Sequence, residues 1–216
     1  VEIYWGTRIK DSDLRKYKNL KWIHFGSIGT DKIKYNSIKN KNIIITNSKG
    51  INSLSVAKLI FMYLLDIEKK ILKLNNYSDR NAYEKKIETN LNLTDEKILV
   101  LGYGNIAKKI RILTKNLNIK LDFYSSRANI LNKKNIHGYN FILKNLSKYR
   151  IIINLLKYNE NNKNFINKDF IKKLNKQVNL ILVGRHETID LNSLLKFLKK
   201  NNESFSYIDA KHSNFN

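Results

Sequence analysis

Neither cysteine nor proline occurs anywhere in the chain. Without cysteine, disulfides and thiolate metal sites are excluded, no metal centre is expected, and the chain suits a reducing compartment such as the cytoplasm. Long apolar runs are lacking too. The best candidate, "LSVAKLIFMYLLDIEKKIL" from Leu54, is interrupted by Lys58 and carries charge from Asp66 onward, so no segment is expected to cross a membrane. The opening residues carry no secretory-leader pattern. Internal repeats and Gly/Ser linkers are missing, and Asn-rich stretches such as "KYNENNKN" read as polar loops.

Acidic residues are scarce: 18 Asp and Glu face 41 Lys and Arg, a formal charge of +23. Such a balance invites a nucleic-acid reading. The lysines, however, are scattered through every segment, as in "IKKLNKQ" and "LLKFLKKNN", on the polar sides of amphipathic patterns. No basic-aromatic patch stands apart in the sequence. A bias toward Lys, Asn and Ile, of which the missing proline is part, accounts for the charge, and no specific nucleic-acid partner is expected.

What is present is a globular composition, 42% hydrophobic and 11% aromatic over 216 residues, enough for one core or two unequal ones. "KWIHF" (21–25) and "NIIITN" (42–47) read as strands, so two strands are expected before the first long helix. That helix should start near Asn52 or Ser53, bury Val56, Leu59, Ile60, Leu64, Ile67, Ile71 and Leu74, and end near Asn75. Its length of roughly 35 Å would bridge two lobes.

Beyond the polar stretch "NNYSDRNAYEKK", strand and helix alternate. Strands are expected at 97–101, 119–124, 151–156, 179–183 and 204–209. Between them fall helices marked by Ile106, Ile110, Leu113 and Leu117, by "KDFIKKL", and by Leu191, Leu194, Leu195 and Leu198. Strands separated by amphipathic helices imply a parallel sheet with right-handed crossovers, covered on both faces. The expected fold class is therefore α/β, a Rossmann-type doubly wound parallel sheet.

Within that frame "LGYGNIAKKI" (101–110) places two glycines at a strand end. Gly102 ends the strand, Gly104 lets backbone approach a phosphate, and the helix from Asn105 aims free N–H groups at it. Ala107 fits the third position, where only a small residue lets helix and strand pack closely. The alternative is an ordinary tight turn; the strand-turn-helix-strand context favours dinucleotide binding. An acidic residue should follow about 20 positions on to hold the ribose. Asp122 satisfies the count but sits inside the strand "IKLDFY", whose tip is Ser125, Ser126 and Arg127. Hydroxyls and a guanidinium suit a 2′-phosphate, so the cofactor is NAD or NADP, with a lean to NADP.

Several segments, in one collinear series from about Leu20 to Asp209, resemble the D-isomer-specific 2-hydroxyacid dehydrogenase family. They are "LKWIHFGSIGTDKI", "ITNSKGINSLSVAKLIFMYLL", "LGYGNIAKKI", "NLSKYRIIINLLKYNENNKNFINKDFIKKLN", "NLILVGRHETIDLNSLLKFLKKN" and "YIDA". The resemblance implies residues 1–51 as an incomplete flavodoxin-like substrate lobe, 52–76 as an interdomain helix, and 77–216 as a Rossmann domain. It also implies hydride exchange with a small 2-oxo or 2-hydroxy acid, and a homodimer.

Carried over by position, the catalytic arginine falls on Arg185, and the substrate carboxylate would meet Ser27, Ile28 and Gly29. Asn105, Ile106, Leu155 and Leu156 join the cofactor set, and Asp209 would hold the nicotinamide carboxamide. An arginine and a proton donor suit this chemistry, because hydride arrival builds charge on a carbonyl oxygen. The family's glutamate falls on Asn214 and its histidine maps beyond Asn216, so the expectation is a shortened catalytic lobe. His186 stands where the family prefers glycine, Leu182 where it usually has asparagine, and Lys157 where it has proline. None of His24, His137, His186 and His212 matches the family's proton donor, and each reads more simply as a surface residue. The alternative function is a noncatalytic dinucleotide-binding protein of the same fold.

Overall fold

The computed structural model describes residues 1–26, 42–71 and 91–208, which form two compact units, Val1–Asn52 and Ser53–Asn216. The expectations for Ser27, Ile28, Gly29, Asp209, His212 and Asn214 lie outside the described residues.

The smaller unit is built from β1 (Ile3–Gly6), α1 (Asp11–Lys16), β2 (Trp22–Phe25) and β3 (Ile44–Asn47), with the strands parallel in the order β1-β2-β3. Alternation decides its core: Ile23 and Phe25 are fully buried with Leu14 and Leu20, while Trp22 faces the other way. Among the described residues three strands thus precede the first long helix, where two were expected. β1 escapes a pattern reading because its most apolar side chains, Ile3 and Trp5, are the exposed ones, 58% and 73%.

In the larger unit α2 (Ser53–Lys69) precedes a six-stranded sheet. Its strands are β4 (Ile98–Leu101), β5 (Leu121–Tyr124), β6 (Ile136–His137), β7 (Ile151–Asn154), β8 (Asn179–Leu182) and β9 (Phe205–Ile208). All pairings are parallel, in the order β6-β5-β4-β7-β8-β9. The helices are α3 (Asn105–Lys115), α4 (Ala128–Leu131), α5 (Tyr139–Asn145), α6 (Lys168–Lys172) and α7 (Leu191–Lys200).

Parallel strands buried on both faces need two cores. Ile98, Val100, Ile151 and Ile153 enter one, with Ala57, Ile60 and Leu64 of α2 and Ala107 and Ile110 of α3. Leu99, Leu101 and Ile152 enter the other, with Ile142 of α5, Phe170 of α6 and Leu194 of α7. This is the doubly wound arrangement. Each fully buried Ile or Leu contributes about 1.5–3 kcal/mol, so either face is worth far more than any single cap. The caps set boundaries instead: Asn167 Oδ1 accepts from Asp169 and Phe170 N–H at 3.0 and 2.9 Å, and Asp190 Oδ1 from Ser193 N–H at 3.1 Å.

Helix α2 is interrupted after Lys69, where Lys70 takes φ +53 while its N–H still donates to Asp66 O at 2.6 Å; the expected Leu74 and the expected end near Asn75 lie outside the described residues. The apolar spacing runs on through Ile71, so periodicity alone could not mark the break. α3 likewise ends before Leu117, which is 47% exposed. α4, β6 and α5 had not been anticipated, being too short to establish a period. Tyr207 of β9 stacks on Tyr63 of α2 with ring centroids 4.4 Å apart and donates a hydrogen bond to the buried Asp66. Burial and that carboxylate push the Tyr207 phenol far above its ordinary range, so it remains a donor. Among the described residues no helix is long and apolar enough to cross a membrane.

Candidate functional site

Strand order reverses at β4: the chain leaves it for β5 on one side and later returns to β7 on the other. A crevice at the carboxyl ends of the strands is expected at such a point. Both glycines of "LGYGNIAKKI" stand there, and the structure separates their roles. Gly102 has φ +109, donates its N–H to Tyr124 O at 3.0 Å, and would place a Cβ 3.4 Å from Leu155 O. The fold itself requires it. Gly104, at φ −97, would place a Cβ with nothing within 4 Å. No packing demands a glycine there; the open space suits close approach by a ligand.

Gly104 is the N-cap of α3 and no side chain caps that helix. The first-turn amides, those of Asn105, Ile106 and Ala107, therefore meet the open space at the positive end of an 11-residue helix. Asn105 is exposed, Ile106 half-buried, and Ala107 fully buried against the sheet, as a third fingerprint position requires. Across the reversal, Leu155 N–H donates to Leu101 O at 3.0 Å, which holds Leu155 and the buried Leu156 beside the glycine turn. These features fit a dinucleotide pyrophosphate.

At the tip of β5, Ser125 Oγ accepts from Arg127 N–H at 3.2 Å and the chain turns into α4, leaving Ser126 and Arg127 exposed. Asp122 is not at this tip. Its Oδ2 accepts from the buried Tyr149 hydroxyl at 2.9 Å and its Oδ1 lies 3.4 Å from His137 Nε2. Burial first, and then the Asp122 carboxylate, push the Tyr149 phenol well above its ordinary range, so it stays protonated and keeps donating.

Arg185 follows β8 and is exposed, with its backbone clamped. Its N–H donates to Leu156 O at 3.2 Å, and its carbonyl accepts from Thr188 N–H at 3.1 Å and Thr188 Oγ1 at 2.6 Å. Thr188 is itself held by Asn154 Nδ2 at 3.0 Å, while Asn154 Oδ1 accepts from Leu156 N–H at 3.1 Å. Asn154 and Thr188 are both fully buried. This polar bridge locks Arg185 to the end of β7. Sequence reasoning had passed over it, although a lone Asn ending the apolar run "IIIN" is a signal that a buried polar group must find partners.

Gly184 belongs to the same bridge. A Cβ there would lie 2.9 Å from Leu156 O and 3.2 Å from Asn154 Cγ. Gly184→Ala is accordingly expected to destabilise the larger unit by about 2 kcal/mol, read from urea unfolding midpoints. An unchanged midpoint would contradict this tight approach.

The histidines divide. His24 has both ring nitrogens engaged, Nδ1 with Thr46 Oγ1 at 2.9 Å and Nε2 with Ser48 Oγ at 3.2 Å. His137 stacks on Phe141 and faces Asp122. His186 adjoins Arg185 and lies 3.5 Å, through Nδ1, from Glu187 Oε2.

Comparison with known proteins agrees with this geometry. A D-3-phosphoglycerate dehydrogenase from Haemophilus influenzae is 23% identical over 185 residues, 85% of this chain and 44% of that protein. A hydroxypyruvate reductase from Thermotoga maritima is 25% identical over 189 residues, 87% of this chain and 61% of that protein. The chain thus spans roughly half the length of these curated relatives. A D-lactate dehydrogenase from Aquifex aeolicus, solved with NAD and lactic acid, superposes with a TM-score of 0.74 at 20% identity, covering 98% of this chain and 65% of that one. The family model described as D-isomer specific 2-hydroxyacid dehydrogenase, NAD binding domain, matches residues 61–213, well over half of the chain. With the doubly wound sheet and the glycine turn at its strand reversal, that match establishes that the chain belongs to the D-isomer specific 2-hydroxyacid dehydrogenase family.

Proposed function

We propose that this chain binds NAD or NADP at the turn between β4 and α3 and takes part, as a cytoplasmic homodimer, in hydride transfer with a small 2-oxo or 2-hydroxy acid. The observation that carries the reading is the contrast at the turn: packing and a positive φ account for Gly102, while at Gly104, the N-cap of α3, open space leaves room for a ligand. In this reading residues 1–51 contribute the substrate lobe, with the Ser27, Ile28 and Gly29 backbone taking the carboxylate. Residues 52–76 link it to the cofactor domain, 77–216, where Asp209 takes the carboxamide.

The bound nicotinamide would supply the hydride. The chain's own part is to hold the pyrophosphate on the α3 amides, flank it with Leu155 and Leu156, and set Arg185 against the substrate carboxylate and carbonyl, where negative charge develops.

Engagement of Asp122 by Tyr149 and His137 supports the lean to NADP. With that carboxylate tied into the sheet, Ser125, Ser126 and Arg127 are left at the tip for a phosphate. Arg127→Ala is expected to weaken NADPH binding about tenfold and NADH binding less than twofold, measured by fluorescence titration. Equal losses for both would assign Arg127 no part in the choice.

A second reading, dinucleotide binding without turnover, draws on His24 and His137 being occupied by Thr46, Ser48 and Asp122. Following NADPH and NADH absorbance with glyoxylate, hydroxypyruvate and pyruvate separates the two. Turnover with any of them establishes the first; tight cofactor binding with no turnover establishes the second; no cofactor binding removes both.

A further inference from the structure

Scatter along the sequence is not scatter in space. Lys108, Arg111 and Lys115 are spaced three and four apart on α3 and so share one face of it. Arg111 Nη1 donates to the Tyr103 hydroxyl at 3.2 Å, and Lys108 and Lys133 stand over the Tyr103 ring at 5.9 and 5.8 Å. Three cations, two from α3 and one from the loop before β6, thus converge on one phenol ring. From Arg111 the positive strip continues into a groove of about 900 Å³, where Lys115 meets Lys120 and Lys134.

Among the described residues that line the groove the one carboxylate is Asp122, whose oxygens are taken by Tyr149 and His137. None of Lys115, Lys120 and Lys134 has a carboxylate partner among the described residues. Like charges gathered without counter-charge repel, and an anion laid between them relieves that repulsion. Cations on α3 alone extend over about 10 Å, too long for a single phosphate. Beside them, at the edge of the sheet, His137 and Phe141 stack with centroids 4.0 Å apart, and Phe141 is 46% exposed. A phosphate track next to an exposed aromatic face is the pairing that single-stranded nucleic acid requires.

We propose that this groove binds a single strand of nucleic acid, with its phosphates along Arg111, Lys115, Lys120 and Lys134 and a base against Phe141. The groove's lysines stand away from Gly104, where β5 and β6 begin and not where β4 ends, while its Arg111 end reaches Tyr103 between the two turn glycines. It runs against the expectation of no specific nucleic-acid partner, which rested on finding no basic-aromatic patch in the linear sequence, and the test below decides between them.

The test is fluorescence anisotropy of a labelled 15-nucleotide strand with the full chain across a salt series. The triple variant Lys115→Glu, Lys120→Glu, Lys134→Glu is expected to lose at least thirtyfold in affinity and to flatten the log–log salt slope by about 2. A control with the same net charge, Lys173→Glu, Lys199→Glu, Lys200→Glu, should stay within threefold of the parent. Phe141→Ala should lose severalfold with an unchanged slope. If the groove triple unfolds, Lys115→Glu alone is expected to lose about threefold. Equal weakening by groove and control variants, tripolyphosphate binding as tightly as the strand with Phe141→Ala silent, or no binding by the parent chain would each overturn the proposal.

Discussion

Gly104→Val is expected to weaken dinucleotide binding at least a hundredfold while the unfolding midpoint moves little. Valine tolerates the backbone of this position, φ −97 and ψ −163, because that lies in the extended region open to any residue. Its Cβ also meets no atom of the chain within 4 Å. What stability changes is the N-cap, where losing glycine costs under about 1 kcal/mol. The bound state is different. A branched side chain there would fill the space in front of the α3 amides, and a pyrophosphate held off by even one ångström loses its hydrogen bonds. Gly102→Ala makes the contrast: at φ +109 it is strained by about 1–3 kcal/mol and should lower the midpoint as well. NADH titration beside thermal unfolding reads both quantities. Undiminished affinity in Gly104→Val would refute the cradle.

Arg185→Ala is expected to lower kcat/KM for the 2-oxo acid by about 10²–10³-fold and to leave cofactor affinity within twofold. The expectation rests on the way the backbone is held. Leu156 O takes the Arg185 N–H, Thr188 holds its carbonyl twice, and Asn154 holds Thr188. So anchored, Arg185 follows the carboxyl end of β8 with its backbone already held, and in the proposed role it has little backbone freedom to lose on binding. Arg185→Lys should recover only part of the loss, because an ammonium cannot make the paired bonds of a guanidinium to a carboxylate. Turnover indifferent to both substitutions would remove Arg185 from the reaction.

Much of the fold was legible beforehand. The buried strands β4, β7 and β8 announce themselves as continuous apolar runs, and α3 and α7 as stripes at helical spacing. A period needs length to show, which is why β6, of two residues, and α4, of four, were passed over. β1 was hidden for another reason, since its apolar side chains are the exposed ones. At the site, glycine and alanine spacing located the turn, yet counting residues could not say whether Asp122 or the Ser125–Arg127 tip faces the crevice. Only its partners, Tyr149 from 27 residues away and His137 from 15, decided that Asp122 is occupied.

The sequence by itself determined the order of the main alternating strands and helices, the doubly wound class and the place of the glycine turn. Each of these follows from local properties: side-chain period, small residues at a turn, a cap ahead of a helix. Tertiary structure alone decided which polar groups are already satisfied, which of the two turn glycines packing requires, and which lysines line one groove. Those depend on residues distant in sequence coming together in the fold, as Asn154 bonds to Thr188 and as Lys115 and Lys134 line one groove, and no one-dimensional spacing encodes such neighbours.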